Sequence, residues 1–402
     1  MPAPMDQTYF RKGFGLKREI EGHLATDYHS RLVDRIRESD FTIAVNGLTI
    51  RLAQEFGFCY GVDRAVEYAY ESREKFPDRR IFLVGEIIHN PHVNEKLETM
   101  GVTVLRPGDA GDFDLSAVEP EDVVLIPAFG VRVSDFDRLR DIGCVLVDTT
   151  CGSVLNVWKR VESYARDGYT AIVHGKHFHE ETKATASQVT KYPDGRYLIV
   201  RDMNETELLC RYLRGEEAVD AVQATFGEKV STGFVFERDL QRVGLANQTT
   251  MLASESLEIA MRIGHAMADR YGQENLADHF RSFGTICSAT QERQDAILAL
   301  IEEPLDVMVV VGGYNSSNTS NLARICARKV TTYHIADSSC IDPDTGAIRH
   351  KPVDAKDEVT TAEWLTSEVG RIGITAGAST PNNKIGAAIE RILHTKGLSA
   401  PF

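Results

Sequence analysis

Three of the seven cysteines, Cys59, Cys151 and Cys287, share a local setting that suits metal ligation. Each ends a short run of strand character and opens a segment whose apolar residues follow helical spacing. These are Val62, Ala65, Val66 and Ala69 after the first, Val154, Val157, Trp158 and Val161 after the second, and, less regularly, Ala296, Ile297, Leu300 and Ile301 after the third. A thiol at a helix N-terminus sits at the positive end of the helix dipole, which favours the thiolate, the form that binds metal. Iron-sulfur clusters are held by thiolates, and a four-iron cluster normally takes four of them. Three equivalent thiolates leave one iron without a protein ligand, open as a Lewis acid to a hydroxyl oxygen while the cluster supplies electrons. Taken singly, each cysteine is more readily core filler than ligand; the matched position in three repeats sets these apart from Cys144, Cys210, Cys326 and Cys340. No Cys-x-x-Cys pair occurs, so zinc-ribbon and thioredoxin readings fail on spacing.

Polar loops recur in step with the cysteines. His89, His179 and Asn315 follow their cysteines by 30, 28 and 28 residues, in loops over 85–90, 175–181 and 312–318 that each follow a strand-like run. A further strand in each unit closes on Pro127-Ala128-Phe129-Gly130, Asn247-Gln248-Thr249-Thr250 or Thr375-Ala376-Gly377-Ala378-Ser379. The imidazoles of His89 and His179 can donate to phosphate oxygens, and Ser316, Ser317, Asn318 and Ser379 add hydroxyl, amide and backbone donors that suit an anion. Glu181, with Glu180 as its rival, suits a general acid if burial beside an anion keeps its proton on; the same pair also suits a solvated helix start. Thr249 and Thr250 suit either a proton relay or a helix cap.

These residues need elements to place them. From residue 42 onward, short apolar runs such as Ile81–Val84, Val123–Ile126 and Val307–Val311 alternate with helix-period segments, the pattern of α/β architecture with mainly parallel sheets. The polar loops all fall at strand carboxyl ends, where such sheets bind ligands, so three units around an axis would turn them into one cavity. The expected division is an arm over 1–45, α/β domains over 46–150, 151–285 and 286–395 carrying Cys59, Cys151 and Cys287 in turn, and a tail over 396–402. The second domain carries an insertion near 204–242. A formal net charge of -14 in 402 residues excludes a nucleic-acid binder. No apolar run approaches the roughly 20 residues of a membrane helix and no secretory or transit pattern opens the chain, so no membrane partner and a cytoplasmic location with reduced thiols are expected.

Seven ordered motifs carry a resemblance: Gly57-Phe58-Cys59-Tyr60-Gly61-Val62-Asp63-Arg64-Ala65, Ile88-His89-Asn90, Asp148-Thr149-Thr150-Cys151, Gln248-Thr249-Thr250, Ile286-Cys287-Ser288-Ala289-Thr290, Asn315-Ser316-Ser317-Asn318 and Thr375-Ala376-Gly377-Ala378-Ser379. Over about residues 48–392 the chain resembles the 4-hydroxy-3-methylbut-2-enyl diphosphate reductases. The resemblance implies a trefoil of three pseudo-threefold-related α/β domains around a [4Fe-4S] cluster on Cys59, Cys151 and Cys287, with one open iron. It also implies an allylic diphosphate held by His89, His179, Ser316, Ser317, Asn318 and Ser379, with Glu181 as proton donor and Thr249 as relay. The family makes isopentenyl and dimethylallyl diphosphates at the end of the non-mevalonate isoprenoid pathway, with electrons from ferredoxin or flavodoxin. Where many members have His-Gly, this chain has Phe129-Gly130; that substitution, the arm and the insertion look like the cyanobacterial and plant branch. Lys176, Asn90 or backbone donors are expected to stand in for the missing imidazole. The competing readings are a quinolinate-synthase-like cluster enzyme, disfavoured by the Asn-Ser-Ser-Asn and Gln-Thr-Thr motifs, and an iron-sulfur sensor or anion-binding module without chemistry.

Overall fold

The computed structural model describes residues 8–108 and 112–401; residues 1–7 of the arm and 402 of the tail lie outside them. Runs such as Ile81–Val84, Val123–Ile126 and Val307–Val311 are buried at every position, as strands covered by helices on both faces must be. The chain packs as two compact units, one of residues 1–12, 79–85 and 103–287, the other of 13–78, 86–102 and 288–402.

The first unit holds two sheets among its described residues. One runs in the order Tyr9–Phe10, Val145–Asp148, Val123–Ile126, Ile81–Val84, Val102–Leu105; the other, parallel throughout, runs Phe280–Ser282, Val243–Asn247, Thr170–His174, Tyr197–Val200. The second unit holds a sheet in the order Thr331–Ile335, Val307–Val311, Arg371–Ala376, Leu48–Leu52, Thr42–Val45, parallel except for its last pair. That last pair is a hairpin turned by Asn46 and Gly47 at φ 45° and 85°, the positive values that a tight two-residue turn requires. A small antiparallel sheet of Ile341–Asp342, Ala347–His350 and Val359–Thr361 completes the unit.

The three larger sheets share one order: the strand entering a cysteine, the strand closing on the small or polar loop, the strand before the anion loop, then a fourth. The α/β repeat expected from sequence is therefore present three times. Its boundaries fall elsewhere than at 46, 151 and 286. Leu48–Leu52, which leads to Cys59, pairs with Arg371–Ala376 and closes the sheet of the last third of the chain. Val145–Asp148 closes the sheet of residues 81–126, and Phe280–Ser282 that of residues 170–247. Each cysteine stands at a join. After Cys151 the helix Gly152–Arg166 leaves its own sheet and packs on the next, where Tyr164 donates to the Leu245 carbonyl at 2.8 Å and lies over Gly244.

The stretch 204–242, expected as an insertion, packs into the core of the second sheet. Helices Met203–Arg214, Val219–Phe226 and Phe236–Asp239 bury Leu209, Cys210, Leu213, Val222, Phe226 and Phe236 with Ile172, Leu198 and Leu245, so their charges are the solvated faces of core helices. The arm is likewise integrated: Tyr9–Phe10 adds an edge strand beside Val145–Asp148, and Glu71 accepts the backbone N–H groups of Phe14 at 2.5 Å and Leu16 at 2.9 Å. Among the described residues no helix is long and apolar enough to cross a membrane.

Candidate active site

Cys59 and Cys151 are the N-cap residues of helices Tyr60–Lys75 and Gly152–Arg166, with extended backbone and no side-chain capping bond; Cys287 immediately precedes Ser288–Leu300. The thiols of Cys59 and Cys151 are thus not spent on capping their helices. Each cysteine amide is held by the small or polar loop of its own sheet: Cys59 N–H donates to Ala378 O at 3.2 Å, Cys151 to Ala128 O at 2.8 Å, and Cys287 to Thr249 O at 3.4 Å. All three lie outside any disulfide and are partly exposed, whereas Cys144, Cys210, Cys326 and Cys340 are buried. Burial pushes the Cys144 thiol up to about 11 and those of Cys210 and Cys326 to about 12, the condition of inert core thiols.

In the first unit, His179 caps the helix Glu180–Ser187. Its Nδ1 accepts from Glu181 N–H at 3.2 Å, so the neutral ring carries its proton on Nε2. Glu180 is exposed and Glu181 is 3% exposed, and Oε1 of Glu181 accepts the N–H of Thr249 at 2.5 Å. Geometry therefore brings Glu181 and Thr249 together, while Glu180 stays exposed. The Phe129 ring lies edge-to-face with the His179 ring, centroids 6.4 Å apart, so the residue replacing an imidazole packs against one.

Gln248, fully buried, joins these pieces, and sequence reasoning had left it without a role. Its Oε1 accepts from Lys176 N–H at 3.2 Å and Thr182 Oγ at 3.1 Å, and its Nε2 donates to Thr250 Oγ at 2.7 Å. A Cβ at Gly175 would stand 2.6 Å from the Thr182 hydroxyl and 3.1 Å from Gln248 Cβ, so only glycine allows this approach.

In the second unit, Ser379 Oγ donates to the His89 carbonyl at 3.1 Å. Glu86 Oε2 lies 2.9 Å from His89 Nδ1 and accepts Asn315 Nδ2 at 2.9 Å, tying the histidine to the Asn-Ser-Ser-Asn loop. Glu86, too, is a residue that sequence reasoning missed, although its position three residues before His89 was a signal. Ser316 caps the helix Ser317–Cys326, accepting Thr319 N–H at 3.3 Å. Asn318 Oδ1 accepts Ala378 N–H at 2.9 Å, while its Nδ2 and the Ser317 hydroxyl are buried without a partner. Buried donors left open beside a helix N-terminus are what an anionic ligand would satisfy. The Asn90 side-chain oxygen caps the helix Pro91–Thr99, accepting Val93 N–H at 3.3 Å, and the Lys176 amide donates to Gln248.

Comparison with known proteins agrees with this arrangement. The LytB protein family matches residues 50–393. The 4-hydroxy-3-methylbut-2-enyl diphosphate reductase of Gloeobacter violaceus is 45% identical over 98% of this chain and 94% of its own length, and that of Crocosphaera subtropica 46% over 96% and 95%. Among solved structures, that of (E)-4-hydroxy-3-methyl-but-2-enyl diphosphate reductase, the terminal enzyme of the non-mevalonate pathway, matches with TM-score 0.52 and 28% identity over 85% of this chain and 98% of its own. The Plasmodium falciparum E-1-hydroxy-2-methyl-but-2-enyl-4-diphosphate reductase, at TM-score 0.61, 21% identity and coverage of 86% and 87%, shares the fold. On near-full-length similarity the chain belongs to the LytB family of 4-hydroxy-3-methylbut-2-enyl diphosphate reductases.

Proposed function

We propose that this protein reductively removes the hydroxyl group of 4-hydroxy-3-methylbut-2-enyl diphosphate, yielding isopentenyl and dimethylallyl diphosphates as the last step of the non-mevalonate pathway. The observation that carries the reading is the threefold cysteine setting: three cysteines outside any disulfide at helix starts, each amide held by the equivalent loop of its sheet. That donor set fits a [4Fe-4S] cluster on Cys59, Cys151 and Cys287. When bound, the cluster supplies electrons and a Lewis-acidic iron without a protein ligand.

The chain's own residues bind and protonate. His89, His179, Ser316, Ser317, Asn318 and Ser379 hold the diphosphate, with the open donors of Ser317 and Asn318 available to its oxygens. Oε1 of Glu181 accepts the Thr249 N–H, which holds the carboxyl beside Thr249, so Glu181 donates the proton and Thr249 relays it. Overall the carbon–oxygen bond breaks, two electrons and two protons enter, water leaves, and a new carbon–hydrogen bond forms at either end of the allylic unit. Ferredoxin or flavodoxin delivers the electrons, in the reducing cytoplasm.

Glu181→Gln keeps the shape and loses the proton. With iron content unchanged, its turnover falls by roughly 100-fold or more in a single-turnover assay with pre-reduced protein. Unaltered turnover removes Glu181 from this role, and absence of product from the unmodified protein rejects the enzymatic reading.

A further inference from the structure

Arg293 is 3% exposed, on the helix Ser288–Leu300 that begins directly after Cys287. Its Nη1 donates to the Ala289 carbonyl at 2.8 Å and its Nη2 to the Gly57 carbonyl at 2.7 Å, while Nε is buried without a partner. Gly57 lies two residues before Cys59 and Ala289 two residues after Cys287, so one guanidinium joins the backbone flanking two of the three cysteines. The turn it grips is fixed from the other side as well: Gly57 has φ 77°, and a Cβ there would stand 2.8 Å from Asn382 Oδ1.

No direct ion pair among the described residues balances the charge of this side chain. Among the described residues no carboxylate lies within ion-pair distance of Arg293; Asp63 acts on it only through longer-range attraction. A guanidinium withdrawn from water with neutral carbonyls as its only partners is costly, and such charges persist where an opposite charge completes them. Besides the longer-range attraction of Asp63, thiolates carrying a cluster would supply that opposite sign.

We infer that Arg293 is a positioning residue for the cluster: it clamps the Cys59 turn to the helix start after Cys287, and its positive charge offsets that of the thiolates. The inference rests on the cluster reading above. Arginine suits both duties, since its planar fork spans two acceptors that the single ammonium of lysine cannot hold in fixed geometry.

The test compares anaerobically purified full-length protein with R293M and R293K. It measures folding of the metal-free forms by circular dichroism, iron and sulfide content, iron loss to a chelator, and midpoint potential by spectroelectrochemistry. R293M is expected to fold, to release iron about tenfold faster or more, and to show a more negative potential, because a lost positive charge makes reduction harder. R293K is expected to keep the potential near its original value while still releasing iron faster. Should R293M fail to fold, R293K decides: faster iron release supports the clamp, and unchanged release overturns it. R293M with unaltered release and potential overturns the whole inference. Absence of iron and sulfide from the unmodified protein would instead sink the cluster reading on which the inference depends.

Discussion

At the scale of single residues, hydrogen-bond polarity fixes what Gln248 does. A backbone N–H can only donate, so the amide oxygen of Gln248 must face Lys176, and its nitrogen must face Thr250. The Thr250 oxygen therefore accepts, and its own proton points away from Gln248. Gln248→Met keeps the volume but leaves the Lys176 amide and the Thr182 hydroxyl without their acceptor. A stability loss of about 1–3 kcal/mol in urea titrations is expected, together with a fall in kcat larger than any rise in KM and with iron content unchanged. A variant with normal kcat would make Gln248 merely structural. The cysteines, histidines and serines stood out in sequence because their chemistry is announced by residue type and recurring position, whereas the choice of Glu181 over Glu180 came from the family resemblance. Gln248, Glu86 and Arg293 were not assigned roles, because theirs come from partners such as Gly57, 236 positions away from Arg293, that no local pattern announces.

At the scale of elements, periodicity revealed the strands, the helices and their threefold repetition, but not which strands share a sheet. The pairing of Leu48–Leu52 with Arg371–Ala376 joins opposite ends of the chain through parallel hydrogen bonds, and apolar runs buried on both faces carry no mark of their neighbours. The arm was unreadable for a related reason. Besides its edge strand, it is attached through one buried carboxylate, Glu71, which accepts two of its backbone amides. Glu71→Ala removes both acceptors, so hydrogen exchange over residues 13–20 should quicken, consistent with a local cost of about 1–3 kcal/mol. Exchange as slow as in the unmodified protein would show that the arm is held by its other contacts alone.

At the scale of the whole molecule, two buried histidines make stability depend on pH. Burial lowers His174 and His334 to about 4, and His334 lies 3.0 Å through Nε2 from the Gly312 carbonyl that begins the anion loop. The unfolded chain takes up these protons near an ordinary histidine pKa of about 6.5, whereas the folded chain refuses them until about pH 4. Stability is therefore full above about pH 6.5 and falls as the solution is acidified towards about pH 4, by up to about 1.4 kcal/mol per pH unit for each histidine. Urea titrations at about pH 7 and about pH 5 should show the loss, and equal stabilities would mean that both rings titrate as they do in water.

The claim that three distant thiols hold one cluster is most directly tested by iron and sulfide analysis after anaerobic purification of the unmodified chain and of Cys59→Ser, Cys151→Ser and Cys287→Ser. The expected result is about four iron and four sulfide per unmodified chain, with both sharply reduced in every one of the three variants. Full cluster content in any of those variants, or an unmodified chain that carries neither element, would contradict it.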